Sequence, residues 1–378
     1  MLKKISFWIL IVFLIFELFV LSGWAVGEKK VYNWNYQTSY DQSFYCGGSH
    51  IQHWADLVWE ETNHQLKINI FYNGTLGFGG SAILSTLSNG LLESAEFVAT
   101  TAVTESKKSW WRFNDFYALY DNWEQLMAVD KVALPIMRQD ILDYGGVIPL
   151  ALFPCCPKDT IQGIWMNKEI KNWDDFKGKK LRTFFTLAGE KCFKPLGFMT
   201  LFLPGPETYQ AMKTGLIDGI IQTATNGISN NYSEVAKYFY AFEPIDGSWW
   251  GIICSQKAFD ALPKDVQEGL VRASEKHEKF LIEEVWPNQA GYCPGPGGFK
   301  SEADVIKYMQ EQGNIIVKVP LLKEKIQEQD QIGMKEWIAA DGGPIAQKLW
   351  DTLLKAKELY PDLDSPLYES LDELIIKE

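Results

Sequence analysis

The chain has little histidine, no surplus of positive charge and a single long apolar run, and each shortage removes a class of function. Four histidines in 378 residues leave too few imidazoles for a multi-metal enzyme. No two cysteines stand at the C-x₂₋₄-C spacing of a zinc site. Asp and Glu number 48 against 36 Lys and Arg, a formal net charge of −12. An acidic chain without a basic cluster cannot neutralise a phosphate backbone, which excludes nucleic acid as a partner. Neither a G-x-G-x-x-G turn, nor a Walker loop, nor a G-x-S-x-G elbow occurs. There is no internal repeat of fixed period and no low-complexity segment. What is present is ordinary for a globular protein, 47% apolar and 22% charged, with 15 tryptophans. The length exceeds one small core and suits about two domains.

The apolar run lies at the start. Lys3 and Lys4 precede residues 7–21, which are apolar apart from Glu17, and Gly23 and Ala25 flank Trp24. A basic, then apolar, then small-x-small sequence is the pattern of a secretory signal peptide, with cleavage expected after Ala25. The alternative is a retained signal anchor, against which stand the length of the run and the charge of Glu17. No cysteine follows the segment, so a lipid anchor is not expected, and the expected location is the periplasm. Export would permit disulfides among Cys46, Cys155, Cys156, Cys192, Cys254 and Cys293. Their spacing forms no framework, and buried thiols with at most one bridge are expected.

The order of elements predicts two α/β units. Residues 31–39 read as a strand. Ile51, Trp54, Ala55 and Val58 share one helical face, and 64–72 alternates as a second strand. A Gly-rich turn at 73–80 leads into a short helix stopped by Asn89 and Gly90, then a strand over 95–101. This β-α-β-α-β order builds a parallel sheet. A helix over 122–144 feeds a strand at 147–153. The pattern resumes with strands at 162–166, 180–185, 199–203 and 216–222, with helices between them. The chain is expected to cross between units near 150–160 and 240–250. Pro263 opens a stripe of Val266, Leu270, Ala273, His277, Phe280, Leu281 and Val285, a helix long enough to lie across two domains. Ser301 and Asp304 cap a further helix.

Several motifs then appear in a specific order. Trp173-Asp174-Asp175-Phe176-Lys177-Gly178-Lys179-Lys180-Leu181-Arg182 has the form D-x-x-G-x-K-[IL]-R. Leu196-Gly197-Phe198 and Leu203-Pro204 follow, then Glu207-x-Tyr209-x-Ala211-x-x-Thr214-Gly215-Leu216-Ile217-Asp218-Gly219, then Ser255-x-Lys257-Ala258-Phe259-x-x-Leu262-Pro263. Together with Gly74-Thr75-Leu76-Gly77 and Gly90, this series resembles the DctP-type substrate-binding proteins of tripartite ATP-independent periplasmic (TRAP) transporters, over essentially the whole chain after the signal segment. The resemblance implies an α/β fold, a two-domain periplasmic binding protein with a ligand cleft between domains and a long C-terminal helix spanning both. On that plan residues 1–25 are the signal peptide, 26–153 the first α/β domain, 154–245 the second, and 246–378 the return crossing, the long helix (assigned to 263–286) and the C-terminal helices.

The implied function is an extracytoplasmic solute receptor that binds a small organic anion, a carboxylate foremost, and delivers it to a TRAP membrane permease. No cofactor or metal is called for, and the chain would be a monomer or dimer. Arg182 is the principal candidate, because a guanidinium fork matches a carboxylate with two parallel bonds and the family's motif Arg holds the ligand carboxylate. Its plainer reading is a solvated arginine beside Lys179 and Lys180. Gln222 stands where the family often places an amide donor, with Asn226 as its understudy. Trp249 and Trp250 match an aromatic of the pocket, and Trp165 and Phe184 flank Arg182. Each aromatic could equally be core. In parallel sheets ligands sit beyond the carboxyl ends of strands, which adds Gln37, Ser39, Thr75, Thr100 and Thr101, each otherwise a turn or cap residue. Two other classes remain open, an exported ligand-binding sensory module and a secreted thiol or carboxylate enzyme.

Overall fold

The computed structural model describes residues 30–40, 42, 48, 50–155, 160–203, 205–242, 247–288, 299, 301–361 and 366–372. The expected signal segment lies outside them, as do Cys46, Cys156 and Cys293. Cys192 and Cys254 are buried free thiols, as expected for them.

The chain first lays down β1 (Tyr32–Gln37), β2 (Leu66–Phe71), β3 (Ser94–Val98) and β4 (Val147–Pro154). It crosses through 155–161 into β5 (Gln162–Met166), β6 (Lys180–Thr183), β7 (Met199–Phe202), β8 (Gly219–Thr223) and β9 (Tyr238–Ala241). It returns through 242–248 into β10 (Trp249–Ser255) and later contributes β11 (Ile315–Lys318) to the second sheet. The first sheet runs β2-β1-β3-β10-β4 and the second β11-β9-β5-β8-β6-β7. Each sheet is parallel except for one strand. β5 runs against β8 and β9, and β10 runs against β3 and β4. The cause is the crossings themselves. The chain leaves each sheet at the carboxyl ends of the parallel strands and enters the other at the same edge, so the first strand after each crossing must run backwards. That shared edge brings the carboxyl ends of both sheets to the same seam.

The principal helices are α1 (Ile51–Glu61), α2 (Ile83–Ser88), α3 (Ala99–Ser106), α4 (Trp123–Tyr144), α5 (Gly205–Lys213), α6 (Ala224–Ser229), α7 (Lys264–Phe280), α8 (Glu302–Glu311), α9 (Pro320–Trp337) and α10 (Gly343–Leu359). α1 buries the expected Ile51, Trp54, Ala55 and Val58. Ser301 caps α8 by accepting the Asp304 N–H at 3.2 Å. The strand expected over 95–101 stops at Val98, which is extended and opens α3.

The helix that reaches both cores is not the one that begins after Pro263. α7 packs on α1 and β4, and its stripe of Val266, Leu270 and Ala273, continued by Leu281 and Val285, sinks entirely into the first core. Three of the chain's four histidines pin it there. His277 on α7 lies 2.9 Å from His50 and 2.9 Å from His53, ring nitrogen to ring nitrogen. The spanning element is α9. Its Leu322 and Ile326 pack in a core of the second sheet, and its Met334 and Trp337 pack in the first. One stripe of constant polarity cannot tell which core it faces, and for that reason the sequence pattern pointed to the helix with the more regular stripe.

A third passage between the cores was not foreseen. Over 109–120 the chain places Trp110, Trp111, Phe113 and Phe116 in the first core, Tyr117 and Ala118 in the second, and Leu119 and Tyr120 back in the first. Phe113, Phe116, Tyr117 and Tyr120 stand at helical spacing, yet the helical turn ends at Asp115 and Phe116 is extended, so periodicity misleads there.

Candidate ligand-binding site

Arg182 sits on β6 in register with Leu201 of β7 and Ile220 of β8. Ile220 in turn faces Trp165 of β5. Alternation along a strand puts Gln222 on the same face as Ile220. Arg182, Gln222, Trp165 and Leu201 therefore share one face of the second sheet, with Gln222 nearest the carboxyl end of β8.

Arg182 is 1% exposed. Its Nε and Nη2 both donate to the Leu203 carbonyl, at 3.0 and 2.9 Å, and its Nη1 is buried with no partner among the described residues. No carboxylate among the described residues meets it. A buried charge ordinarily demands a counter-charge, and here only one carbonyl oxygen answers. The Phe184 ring stands 5.5 Å from the guanidinium carbon, a cation–π contact that fixes the plane of the fork. Tyr232 is close enough that the positive charge of Arg182 works against the upward shift that burial imposes on its hydroxyl.

Two amide donors stand nearby on the same stretch of chain. The Gln222 Oε1 accepts the Thr223 N–H at 3.0 Å, and its Nε2 has no bond among the described residues. Thr223 caps α6, accepting the Asn226 N–H at 3.1 Å. Asn226 is buried; its Oδ1 accepts from Asn230 Nδ2 at 2.7 Å, and its own Nδ2 is unspent among the described residues. Trp165 supports this corner from below. Its ring lies so close to Gly227 that no Cβ fits there, and its Nε1 donates to the Thr223 carbonyl at 3.4 Å. Trp165 is thus buried and positions α6.

The first sheet places the other candidates differently. Trp249 is 1% exposed, and its indole Nε1 donates to Asp130 Oδ1 at 2.8 Å. It packs on Trp110 and Phe113 inside the first core. Trp250 is also buried, with the Tyr40 ring 5.0 Å away at the sheet's carboxyl end. Gln37 spends both ends of its amide on the Gly-rich turn, accepting from Leu76 N–H at 2.9 Å and donating to the Phe78 carbonyl. That turn needs left-handed backbone at Asn73, Gly74 and Gly77, and Gln37 holds it closed. Thr75 is exposed on its outside. Ser39 is exposed, and its N–H serves Glu96. Thr100 hydrogen-bonds Asp115, and Thr101 bonds back to the Val98 carbonyl at 2.9 Å. Gln37, Thr101 and Trp249 therefore do structural work that uses their polar groups.

Residues that the motifs did not mark complete the electrostatics. Glu96 on β3 accepts from the Thr38 hydroxyl and lies deep enough that burial pushes its carboxyl up to about 8. Asp115 in the strap is raised to about 6 by burial, against the pull of Arg112. Neither acid pairs with Arg182. A cavity of about 290 Å³ lined by Ala118, Leu119, Asp121, Gln327, Asp330, Gln331, Trp350 and Lys357 lies beside α9 and α10 and contains none of the predicted site residues.

Known proteins bear on this arrangement. A solute-binding protein of Albidiferax ferrireducens is 32% identical over 249 residues, spanning 62% of this chain and 67% of its own. The DctP7 receptor of Bordetella pertussis, an extracytoplasmic solute receptor binding pyroglutamic acid, shares the fold with a TM-score of 0.71 at 18% identity, over 86% of this chain and 100% of its own. The sugar-acid-binding DctPAm of Advenella mimigardefordensis, in complex with galactonate, gives 0.70 at 19% identity over 87% and 100%. The sequence profile of the bacterial extracellular solute-binding proteins, family 7, matches residues 45–293. That span takes in Arg182, Gln222, Asn226 and both crossings, and the chain accordingly belongs to the DctP family of extracytoplasmic solute receptors.

Proposed function

We propose that this receptor captures a small organic acid through its carboxylate, with Arg182 as the counter-charge, and hands it to a TRAP membrane permease. The observation that carries the reading is the buried Arg182 head, with one nitrogen unpartnered and no carboxylate in contact. Nη1 can donate to an incoming carboxylate oxygen, and Gln222 Nε2 and Asn226 Nδ2 offer further donors. The Phe184 ring adds an apolar wall, so the site pairs one strong ionic contact with apolar surface, the usual make-up of a small-molecule pocket. Relatives support the ligand class. Receptors of this fold bind pyroglutamic acid, galactonate and galacturonate, and a relative in Rhodobacter capsulatus is a C4-dicarboxylate-binding periplasmic protein.

On this reading the protein works outside the cytoplasm and performs no reaction. Among the described residues no helix is long and apolar enough to cross a membrane. Binding draws the two sheets together across their common seam, and the permease recognises the closed form. Native mass spectrometry of the purified protein, followed by calorimetric titration with a panel of mono- and dicarboxylates, tests the reading. A ligand without an acidic group, bound more tightly than every carboxylate in the panel, would overturn it.

A further inference from the structure

Thr186 lies three residues beyond β6, at the end of the loop that carries Phe184 against Arg182. Its hydroxyl accepts from Nη2 of Arg112 at 2.9 Å. Arg112 belongs to the strap and to the other side of the seam. Its Nε is already engaged, donating to Asp115 Oδ2 at 3.0 Å. Asp115 is 2% exposed and hydrogen-bonds Thr100 in the first turn of α3, directly past the carboxyl end of β3. The row Thr100, Asp115, Arg112, Thr186 therefore runs from the carboxyl end of the first sheet to that of the second. A second bond holds the same loop, from the Phe184 N–H to the Tyr117 hydroxyl at 3.2 Å.

We propose that the Arg112–Thr186 contact is a clasp across the cleft that retains the bound acid, with Arg112 as a positioning residue that never touches it. The proposal rests on the receptor reading above. The two ends of the clasp are unequal. Asp115 is buried and keeps Arg112 oriented whether or not Thr186 is present. The Arg112 side chain is 24% exposed, so water can replace the Thr186 hydroxyl once the sheets part. Opening thus costs one charge-assisted bond at a wet site, enough to slow release without locking the cleft. What the clasp holds is the Phe184 loop, and through it the ring that sets the plane of Arg182.

Three variants test it, Thr186→Ala, Thr186→Ser and Arg112→Gln. In the ligand-free protein, amide exchange over 183–186 should quicken about tenfold in Thr186→Ala and Arg112→Gln while β8 is unchanged, with Thr186→Ser at the parent rate. Stopped-flow tryptophan fluorescence with pyroglutamate and galactonate should then show release roughly five- to tenfold faster in the first two variants, with association within twofold of the parent. Unchanged exchange in the loop overturns the clasp whatever the ligand. Faster exchange with unchanged release overturns retention as its purpose. If the loop loosens but the parent binds no organic acid at all, the receptor reading fails, and retention of an acid fails with it, while the contact stands as a tie between the sheets.

Discussion

A guanidinium held out of water at Arg182 is costly until an anion meets it, and removing it from the complex leaves that anion unpaired instead. Arg182→Ala should therefore weaken carboxylate binding by about 3–5 kcal/mol, roughly a hundred- to several-thousand-fold in Kd. Arg182→Lys should recover only part, since an ammonium supplies charge without the fork. Both proteins should fold, because the Leu203 carbonyl that the side chain serves can turn to water. Titration calorimetry decides it, and binding within threefold of the parent would misplace the site. Single groups also set the pH response. Glu96 titrates at about 8 in the fold because burial disfavours its charge, against about 4.3 in an unfolded chain. Across that window the folded chain keeps a proton that the unfolded chain releases. The contribution is full below pH 4 or so and is lost as pH rises through 8. Glu96→Gln should consequently gain in melting temperature over the parent between pH 5.5 and 8.5, and a difference that stays flat would refute the assignment. His277 acts in the opposite sense. Burial first, and then the neighbouring His50 and His53, depress its pKa, so its share of stability is present above about 6.5 and falls as pH drops below it.

Elements succeed or fail here on their ends and their close approaches. α6 is six residues long and starts on the Thr223 hydroxyl. Thr223→Ala should cost about 1 kcal/mol of stability and, by loosening Asn226, weaken ligand binding severalfold, with both effects read from melting curves and titrations. β10 is buried at all seven positions. At Gly251 a Cβ would strike the Ala151 carbonyl and the Leu152 side chain, so Gly251→Ala should destabilise by about 1–3 kcal/mol, the range for overpacking. A melting temperature equal to the parent's would show that the strands can separate freely there. These details mark the limit of what the sequence disclosed. Ile51, Trp54, Ala55 and Val58, the alternation before the Gly-rich turn, and the D-x-x-G-x-K-L-R run were legible because periodicity and local motif suffice for them. So were the two crossings, the first marked by Pro154 and Pro157. The orientation of β10 and β5 was hidden, because a strand's direction depends on the edge at which it enters. The reach of α9 was hidden because burial on one stripe does not name the neighbour. Arg112 and Tyr117 were missed because Thr186 and Phe184 lie far along the chain, and a tryptophan beside a crossing, such as Trp249, reads alike as pocket or core until Asp130 is seen to accept from its indole.

Across the whole molecule, two sheets share one seam, bridged by two crossings, the strap and α9. If ligand draws the seam shut, small-angle scattering should show a smaller radius of gyration with bound acid, while far-UV circular dichroism is unchanged, since the sheets move as bodies. An equal radius with saturating ligand would indicate a pocket that is rigid from the outset. The position of β10 has a separate consequence, for how the molecule comes into being. It is the keystone of the first sheet, wedged between β3 and β4, yet it is made only after the entire second sheet except β11. A nascent chain that has reached residue 240 holds β1 to β4 with a gap where Trp249–Ser255 belongs, and its first core stays open. Pairings so distant in sequence form slowly. For a protein of an extracytoplasmic family that delay is useful. Were the chain exported before it folds, the polymer would stay pliable enough to be threaded through a narrow channel, and the arch would lock only when its last stone arrived on the far side.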